Sequence, residues 1–118
     1  MDNEVNYKNI STMQLVDILE NSLSDYMNQV ELKDNIYEEL LLIVTNRDEI
    51  HDILLELSLR EHSVDTNKLR KTDKDWQQWL KEEKGLNFQY NDHTKPMNKW
   101  WWWINELDEL TDEQLKAL

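Results

Sequence analysis

Residues 32–61 read LKDNIYEELLLIVTNRDEIHDILLELSLRE, and this stretch decides the fold class. Its apolar residues recur at intervals of three and four, which is the period of an amphipathic α-helix. We predict two helices here, Leu32–Val44 and Arg47–Glu61, because Asn46 followed by Glu49 resembles a new helix N-terminus. No Pro or Gly separates the two, so one continuous helix is the alternative.

The segment before this stretch has the same helical period. Ser11 and Gln14 form a capping box, and apolar residues then continue at helical spacing. This pattern predicts a helix at Thr12–Gln29. Residues 1–10 are polar, and we expect them to be flexible. Residues 11–118 are then a single helical domain, a length that supports one core without disulfides or metals.

The segment after the central stretch is also predominantly helical. A helix is predicted at Asp73–Lys84, capped by Thr72 and ended by Gly85, the only glycine. Residues 86–91 alternate in polarity and indicate a short extended segment or an ordered loop. The only proline begins a further helix at Pro96–Leu110, and a short helix follows it. The expected fold is therefore all-α, a compact single-domain bundle of five to six helices.

Composition excludes several classes of protein. The chain has 118 residues, a net charge of −12, one glycine and no cysteine. Disulfide scaffolds, thiol catalysis and Cys-ligated metals need cysteine, and phosphate-binding loops need several glycines. The longest apolar run, Leu40–Val44, is far shorter than the roughly 20 residues that span a bilayer. The first residues are acidic, unlike a signal peptide. We expect a cytoplasmic protein without membrane contact.

No residues form a recognisable catalytic or metal-binding motif. Asp48, His51 and Asp52 share a helix face and could begin a metal site, but no second motif supplies further ligands. Residues 73–84 resemble an EF-hand loop only in their first positions, since the required Gly and Glu are Gln78 and Lys84. We therefore predict no enzyme activity, no catalytic residue, no cofactor and no metal.

Acidic residues dominate the first half of the chain. Residues 1–62 carry 14 acidic and four basic side chains. Such a surface repels nucleic acid and favours a basic protein partner, for example a nuclease or another nucleic-acid-binding protein. We expect the partner-binding acidic face to contain Asp17, Glu20, Asp25, Glu38, Asp48, Glu49, Asp52 and Glu56. Reversing Asp48, Glu49 and Asp52 to Lys should then slow association with little effect on folding.

This size and charge resemble those of small inhibitors, bacteriocin immunity proteins and antitoxins, although no family motif aligns residue by residue. The function expected from sequence is therefore a small non-enzymatic binding protein of the inhibitor or immunity type. Lys68, Arg70, Lys71 and Lys74 form a basic cluster. Direct nucleic-acid binding is nevertheless not expected, because DNA-binding domains usually carry a clearer positive excess.

Four consecutive tryptophans, Trp100–Trp103, support an alternative function. On an α-helix, Trp100 and Trp103 would face the core, Trp101 would lie at its flank and Trp102 on the polar side. Trp101 and Trp102 could then bind a partner, in an assembly or adaptor domain or a homodimer. The competing interpretation places all four in the interior, on a sandwiched helix or a strand with two buried faces.

Overall fold

A computed structural model describes residues 7–31, 36–82, 94–96, 99–104, 106, 110, 111, 113 and 115. It contains three α-helices, α1 (Thr12–Glu31), α2 (Ile36–Leu59) and α3 (Asn67–Glu82), with 3-10 turns at Tyr7–Asn9 and Trp100–Trp102. The all-α prediction is confirmed for this part of the chain, which has no strand, but the count of five to six helices is not. No described helix is long and apolar enough to cross a membrane.

Helix α1 begins where the sequence predicts, because the capping box forms. Ser11 Oγ accepts a hydrogen bond from the Gln14 backbone N–H at 3.2 Å, and Gln14 Oε1 accepts one from the Ser11 N–H at 3.4 Å. These bonds satisfy two groups that a helix N-terminus leaves free. The helix buries one face against the rest of the bundle, with Leu15, Leu19, Ser22, Tyr26 and Val30.

Helix α2 is continuous, so the predicted break at residues 44–47 is wrong and the alternative of one long helix is correct. Asn46 does not cap a new helix. Its amide Nδ2 donates instead to Gln29 Oε1 on α1 at 2.9 Å, a contact that the local sequence does not reveal. The neighbouring Thr45 hydroxyl donates to the Leu41 carbonyl at 2.6 Å and is thereby satisfied within the helix.

Helix α3 begins at Asn67, ahead of the predicted start at Asp73. Asp65 Oδ1 accepts from the Asn67 N–H at 2.9 Å and so supports the true N-terminus. The Thr72 hydroxyl is not a cap, since it donates to the Lys68 carbonyl one turn earlier at 2.9 Å. The predicted stop at Gly85 lies outside the described residues.

The tryptophan segment is not an α-helix in its described part. Trp103 N–H donates to the Trp100 carbonyl at 2.8 Å, and Trp102 N–H to the Lys99 carbonyl at 3.0 Å. These bonds span three residues and define a 3-10 turn, which rotates 120° per residue instead of 100°. The predicted helix over residues 96–110 is therefore not observed among the described residues. The extended segment predicted at 86–91 lies outside them.

A buried ion pair joins the helices. Arg47 on α2 binds Asp73 on α3 through Nε–Oδ1 at 2.9 Å and Nη2–Oδ2 at 3.0 Å, with side chains 0% and 4% exposed. The Tyr26 hydroxyl on α1 donates to Asp73 Oδ1. Burial raises the pKa of Asp73, and the opposing bonds from Arg47 and Tyr26 only partly offset this. Three helices thus meet at one carboxylate.

Aromatic rings surround the ion pair. Tyr26 meets Trp76 edge to face with ring centroids 5.9 Å apart, and Trp76 lies 5.2 Å from Trp100. Trp100 contacts Trp101 at 5.7 Å, and the Arg47 guanidinium lies 4.3 Å from the centre of the Trp101 ring. This stacking over an aromatic face shields the guanidinium from water. The tryptophan segment therefore completes the core.

The N-terminal turn is bound to the end of α2. The Arg60 guanidinium donates to the Tyr7 carbonyl at 3.0 Å and to the Thr12 hydroxyl at 3.1 Å. Tyr7 and Ile10 pack against the core. Residues 7–10, which the sequence predicts to be flexible, thus lie on the bundle, and residues 1–6 lie outside the described part.

Helix α2 ends in a Schellman motif without glycine. His62 N–H donates to the Leu57 carbonyl at 2.9 Å, and Glu61 N–H donates to the Ser58 carbonyl at 3.0 Å. Glu61 has a φ of 59°, in the left-handed region that glycine adopts without steric cost. An ordinary residue is strained there by about 1–2 kcal/mol.

Replacing Asp73 by Asn should destabilise the fold strongly, because it leaves the Arg47 charge buried without a counter-ion. We expect a loss of about 3–5 kcal/mol in the free energy of unfolding, measured by urea denaturation. The matched double variant Arg47→Met with Asp73→Leu should lose less than Asp73→Asn alone. Equal losses in the two variants would show that the buried charge is not the cause.

Replacing Glu61 by Gly should stabilise the protein by about 0.5–1 kcal/mol, because it relieves the left-handed strain and offsets the extra freedom of glycine in the unfolded chain. Glu61→Ala is the control and should give no gain, since alanine also carries a Cβ. Urea denaturation of the three proteins measures the difference. A gain in the alanine variant equal to that in the glycine variant would contradict the explanation.

Candidate functional site

Three carboxylates within two turns of α2, Asp48, Glu49 and Asp52, are the most heavily bonded surface feature of the described structure. We call them the α2 carboxylate cluster. Their helical spacing places them on one side of α2. Hydrogen bonds and ion pairs reach them from α1 and from the tryptophan segment.

The tryptophan segment binds the cluster through Asp48. Asp48 Oδ1 accepts hydrogen bonds from the indole Nε1 of Trp101 at 3.2 Å and of Trp102 at 3.1 Å. The Lys99 ammonium lies 3.0 Å from the same oxygen and 3.2 Å from Asp52 Oδ1. One carboxylate thus holds two indoles and one cation, which fixes the segment on α2.

Electrostatics favour the charged forms of both partners in this contact. Burial alone would raise the pKa of Asp48, but the bonds from Trp102, Lys99 and Trp101 lower it below 3.8. Burial alone would lower the pKa of Lys99, but Asp48 and Asp52 raise it above 10.5. The ion pair is therefore fully formed across the neutral pH range.

Helix α1 and the N-terminal turn complete the surroundings of the cluster. The Ser22 hydroxyl on α1 donates to Glu49 Oε2 at 3.0 Å. Burial and the nearby charges of Glu49, Asp52 and Asp48 raise the pKa of the Tyr7 phenol to about 12. Tyr7 therefore stays protonated beside the cluster and adds no further negative charge.

The structure divides the predicted acidic face into two groups. Asp17, Glu20 and Asp25 are exposed on α1. The cluster members are bound to other parts of the chain, and Glu56 is buried with its carboxylate 3.9 Å from Arg60 Nε. The Glu38 side chain lies outside the described residues. The expectation that reversing Asp48, Glu49 and Asp52 leaves folding unchanged is inconsistent with these contacts.

The two tryptophans predicted to contact a partner have different environments. Trp101 is fully buried, with its ring 5.5 Å from His51, and so it is not available at the surface. Trp102 is half-buried, with the Lys95 ammonium 5.5 Å from its ring centre. The reason is the 3-10 turn, whose larger rotation changes the faces that an α-helix would give. Partner binding by Trp102 stays a prediction.

The described residues do not form a metal site. Nowhere among them do at least three His, Asp or Glu side chains come close enough together to hold a metal ion. His51, the natural ligand candidate, is buried against Trp101. Asp48 and Asp52, its neighbours in sequence, face Lys99. Chemically, this arrangement binds cations and indole N–H groups of its own chain.

Sequence reasoning missed the residues that organise this region. Arg47 and Asp73 carry a detectable signal, because each falls among the apolar positions of its helix, Asp73 with Leu69, Trp76 and Leu80. Charged residues on an apolar face indicate a buried pair. Lys99 carries no comparable signal, since its pairing with α2 depends on how the tryptophan segment folds back.

The carboxylates that remain open for binding include those on the solvent face of α1. This face presents four exposed carboxylates, Asp17, Glu20, Asp25 and Glu31, and we call it the α1 acidic face. Helix α1 contains no Lys or Arg in its 20 residues. None of the four carboxylates forms an ion pair within the described part of the chain. The face is therefore uniformly negative.

Asp48→Asn should destabilise the protein in a pH-dependent way, because the folded pKa of Asp48 lies below its ordinary value. Because folding lowers the pKa of Asp48, its charged form stabilises the folded state above pH 3.8, the ordinary pKa. This stabilisation is lost as the pH falls through the pKa of Asp48 in the folded protein. We expect the variant to lose about 1–2 kcal/mol at neutral pH. The difference from wild type should shrink on acidification.

Urea denaturation between neutral and strongly acidic pH measures this difference. Asp52→Asn is the matched control and should lose less. Among the described residues Asp52 pairs with Lys99 alone, and its side chain is 40% exposed, against 25% for Asp48. A difference for Asp48→Asn that does not change with pH would contradict the electrostatic assignment.

The chain thus has an internal carboxylate cluster on α2 and an open acidic face on α1. Comparison with protein-family models, with curated proteins and with solved structures finds no match to this chain.

Proposed function

We propose that this chain is a small non-enzymatic binding protein of the cytoplasm that docks its α1 acidic face on a basic macromolecular partner, as an inhibitor or an immunity or antitoxin-type protein. One observation carries the proposal. A helix of 20 residues exposes four carboxylates and contains no cation. Because no ion pair involves these carboxylates within the described part of the chain, the face keeps its attraction for a basic surface.

The α2 carboxylate cluster supports the proposal by contrast. The carboxylates of Asp48 and Asp52, which help to hold the tryptophan segment on α2, form ion pairs with Lys99. The carboxylates of α1 form no such pair with any residue that the structure describes, and like charges along one helix face destabilise it slightly. A role in association accounts for their presence, since a focused negative field accelerates encounter with a basic protein by about 10- to 1,000-fold.

A nuclease or another nucleic-acid-binding protein is the kind of partner that fits. Such proteins carry basic clefts that bind phosphates, and a row of carboxylates spread over about 21 Å of helix can occupy such a cleft as a competing polyanion. Inhibition would then follow from blocking access, without any chemical step.

The alternative function, assembly through the tryptophan segment, has weaker geometric support. Trp101 is fully buried, and the Trp102 indole N–H is already bound to Asp48. A self-association surface there would depend on the exposed part of one ring, which Lys95 already approaches.

Neutralising three of the four carboxylates of the α1 acidic face should strongly reduce capture of basic partners. The variant is Asp17→Asn with Glu20→Gln and Asp25→Asn, used as bait in a pull-down from cells of the source organism at about 0.05 and 0.5 M salt. We expect wild type to retain a basic protein at low salt, and the variant to retain at least tenfold less. The captured protein is then tested for nucleic-acid cleavage with and without wild-type bait.

The matched control neutralises three exposed carboxylates elsewhere, Glu61→Gln, Asp75→Asn and Glu82→Gln, and gives the same net charge. It should capture the partner as wild type does. Equal loss in the control would show that only net charge matters. Capture that persists in high salt and in the α1 variant would refute the α1 docking surface.

A further inference from the structure

Helix α3 presents a straight line of basic side chains to solvent. One side of the helix carries side chains at successive intervals of four, three, four and three residues, namely Asn67, Lys71, Lys74, Gln78 and Lys81. Lys71 and Lys74 are exposed and Lys81 is half-buried. We call these three lysines the α3 basic stripe. An open groove beside it is lined by Lys74 and Lys81 together with glutamine and glutamate side chains.

The stripe is not neutralised from within the described structure. Two exposed carboxylates border it, Asp75 one turn after Lys71 and Glu82 next to Lys81, and Glu82 accepts a hydrogen bond from Gln78 at 3.1 Å. Asp73, also on α3, points into the core and binds Arg47. Ion pairs of Lys71, Lys74 and Lys81 are absent among the residues that the structure describes. A cationic stripe is thus present on a chain of net charge −12.

The α1 acidic face matches this stripe in sign and in spacing. Asp17 and Glu20 are three residues apart, as are Lys71 and Lys74, so each pair rises about 4.5 Å along its helix. The third members differ, because Asp25 lies about 140° around α1 from Glu20 whereas Lys81 lies about 20° around α3 from Lys74, so the match in spacing concerns the first two residues of each surface. Both surfaces are helix faces without an ion-pair partner of their own among the described residues.

We propose that the α1 acidic face of one copy docks on the α3 basic stripe of a second copy. The two surfaces differ, so the contact is heterologous, and each bound copy offers a further α1 face and α3 stripe. The interaction goes beyond the proposed function, because it assigns a role to α3. It also occupies the α1 face, so a basic partner protein would compete with self-association.

Ionic strength determines whether the attraction at this contact exceeds the overall repulsion between two chains of net charge −12. At about 0.01 M salt the Debye length is about 30 Å. That length is comparable to the molecule, which measures 43 × 30 × 28 Å, so the whole charge is felt. At about 0.1 M the Debye length is about 10 Å, and only charges near the contact interact. Self-association should therefore be strongest near 0.1 M and weaker on either side.

The affinity should be modest, because one helix face on another buries less than the roughly 1,200 Å² of specific stable interfaces. We expect a dissociation constant of about 0.1–1 mM. Sedimentation equilibrium of the full chain, with protein concentrations up to about 1 mM, measures the average mass at each salt concentration. A mass that rises with protein concentration at about 0.1 M salt is the expected result.

Charge reversal tests the pairing of surfaces. One variant carries Asp17→Lys, Glu20→Lys and Asp25→Lys, and the other carries Lys71→Glu, Lys74→Glu and Lys81→Glu. Each alone should associate at least tenfold more weakly than wild type. The first has a net charge nearer zero than wild type, so its loss cannot come from overall repulsion. An equimolar mixture of the two should recover association, because the basic α1 of one faces the acidic α3 of the other.

The proposal is overturned if wild type is monomeric at every salt and protein concentration, or if the α1 variant associates as wild type does. It is also overturned if the mixture fails to recover association although circular dichroism shows that both variants are folded. A labelled single-stranded oligonucleotide is titrated in parallel. Binding that the α3 variant abolishes, with no self-association of wild type, would assign the stripe to nucleic acid instead. The α3 variant keeps the α1 face, so its partner pull-down distinguishes this proposal from the proposed function.

Discussion

The arrangement of this molecule depends on one buried ion pair, Arg47 with Asp73. Two charges with almost no solvent contact are tolerated only when every neighbour helps to satisfy them, and here Tyr26 and Trp101 both do. That requirement fixes the register of the helices, because the guanidinium, the carboxylate and the phenol must meet at one place. Apolar packing alone would allow the helices to slide past one another, whereas a bidentate pair does not.

The negative charge of the chain is divided by this architecture. Carboxylates on α2 are drawn into contact with Lys99, Ser22 and the indoles, and they behave as structural groups. Those on α1 lie opposite the buried stripe and meet only solvent in the described structure. The composition gives only the total net charge. The fold shows which carboxylates bind other parts of the chain and which are exposed to a partner. Only the carboxylates that remain exposed are available to a binding partner.

Sequence patterns correctly predicted those features of the fold that depend on residues close together in the chain. The start of α1 follows from the capping box, and the helical class follows from periodicity. The break at Asn46 was wrong because its side chain bonds across to Gln29, which is distant in sequence. The helical faces assigned to Trp101 and Trp102 do not apply, because this segment forms a 3-10 turn that buries Trp101 and half-buries Trp102. The contacts of Lys99 with Asp48 and Asp52 were not predictable either, since Lys99 reaches α2 only after the chain folds back, and partner binding by the acidic face stays a prediction.

The contacts on α2 also set an order of events during synthesis. Ribosomes deliver chain at about 5–20 residues per second, so Asp48 emerges several seconds before Lys99 and the tryptophans that bind it. Until then the α1–α2 hairpin carries uncompensated carboxylates. Arg47 lacks its counter-ion until α3 delivers Asp73, and it lacks the Trp101 ring until the tryptophan segment follows. The nascent hairpin is consequently an incomplete species, and the native core closes only when the last of these segments has left the ribosome.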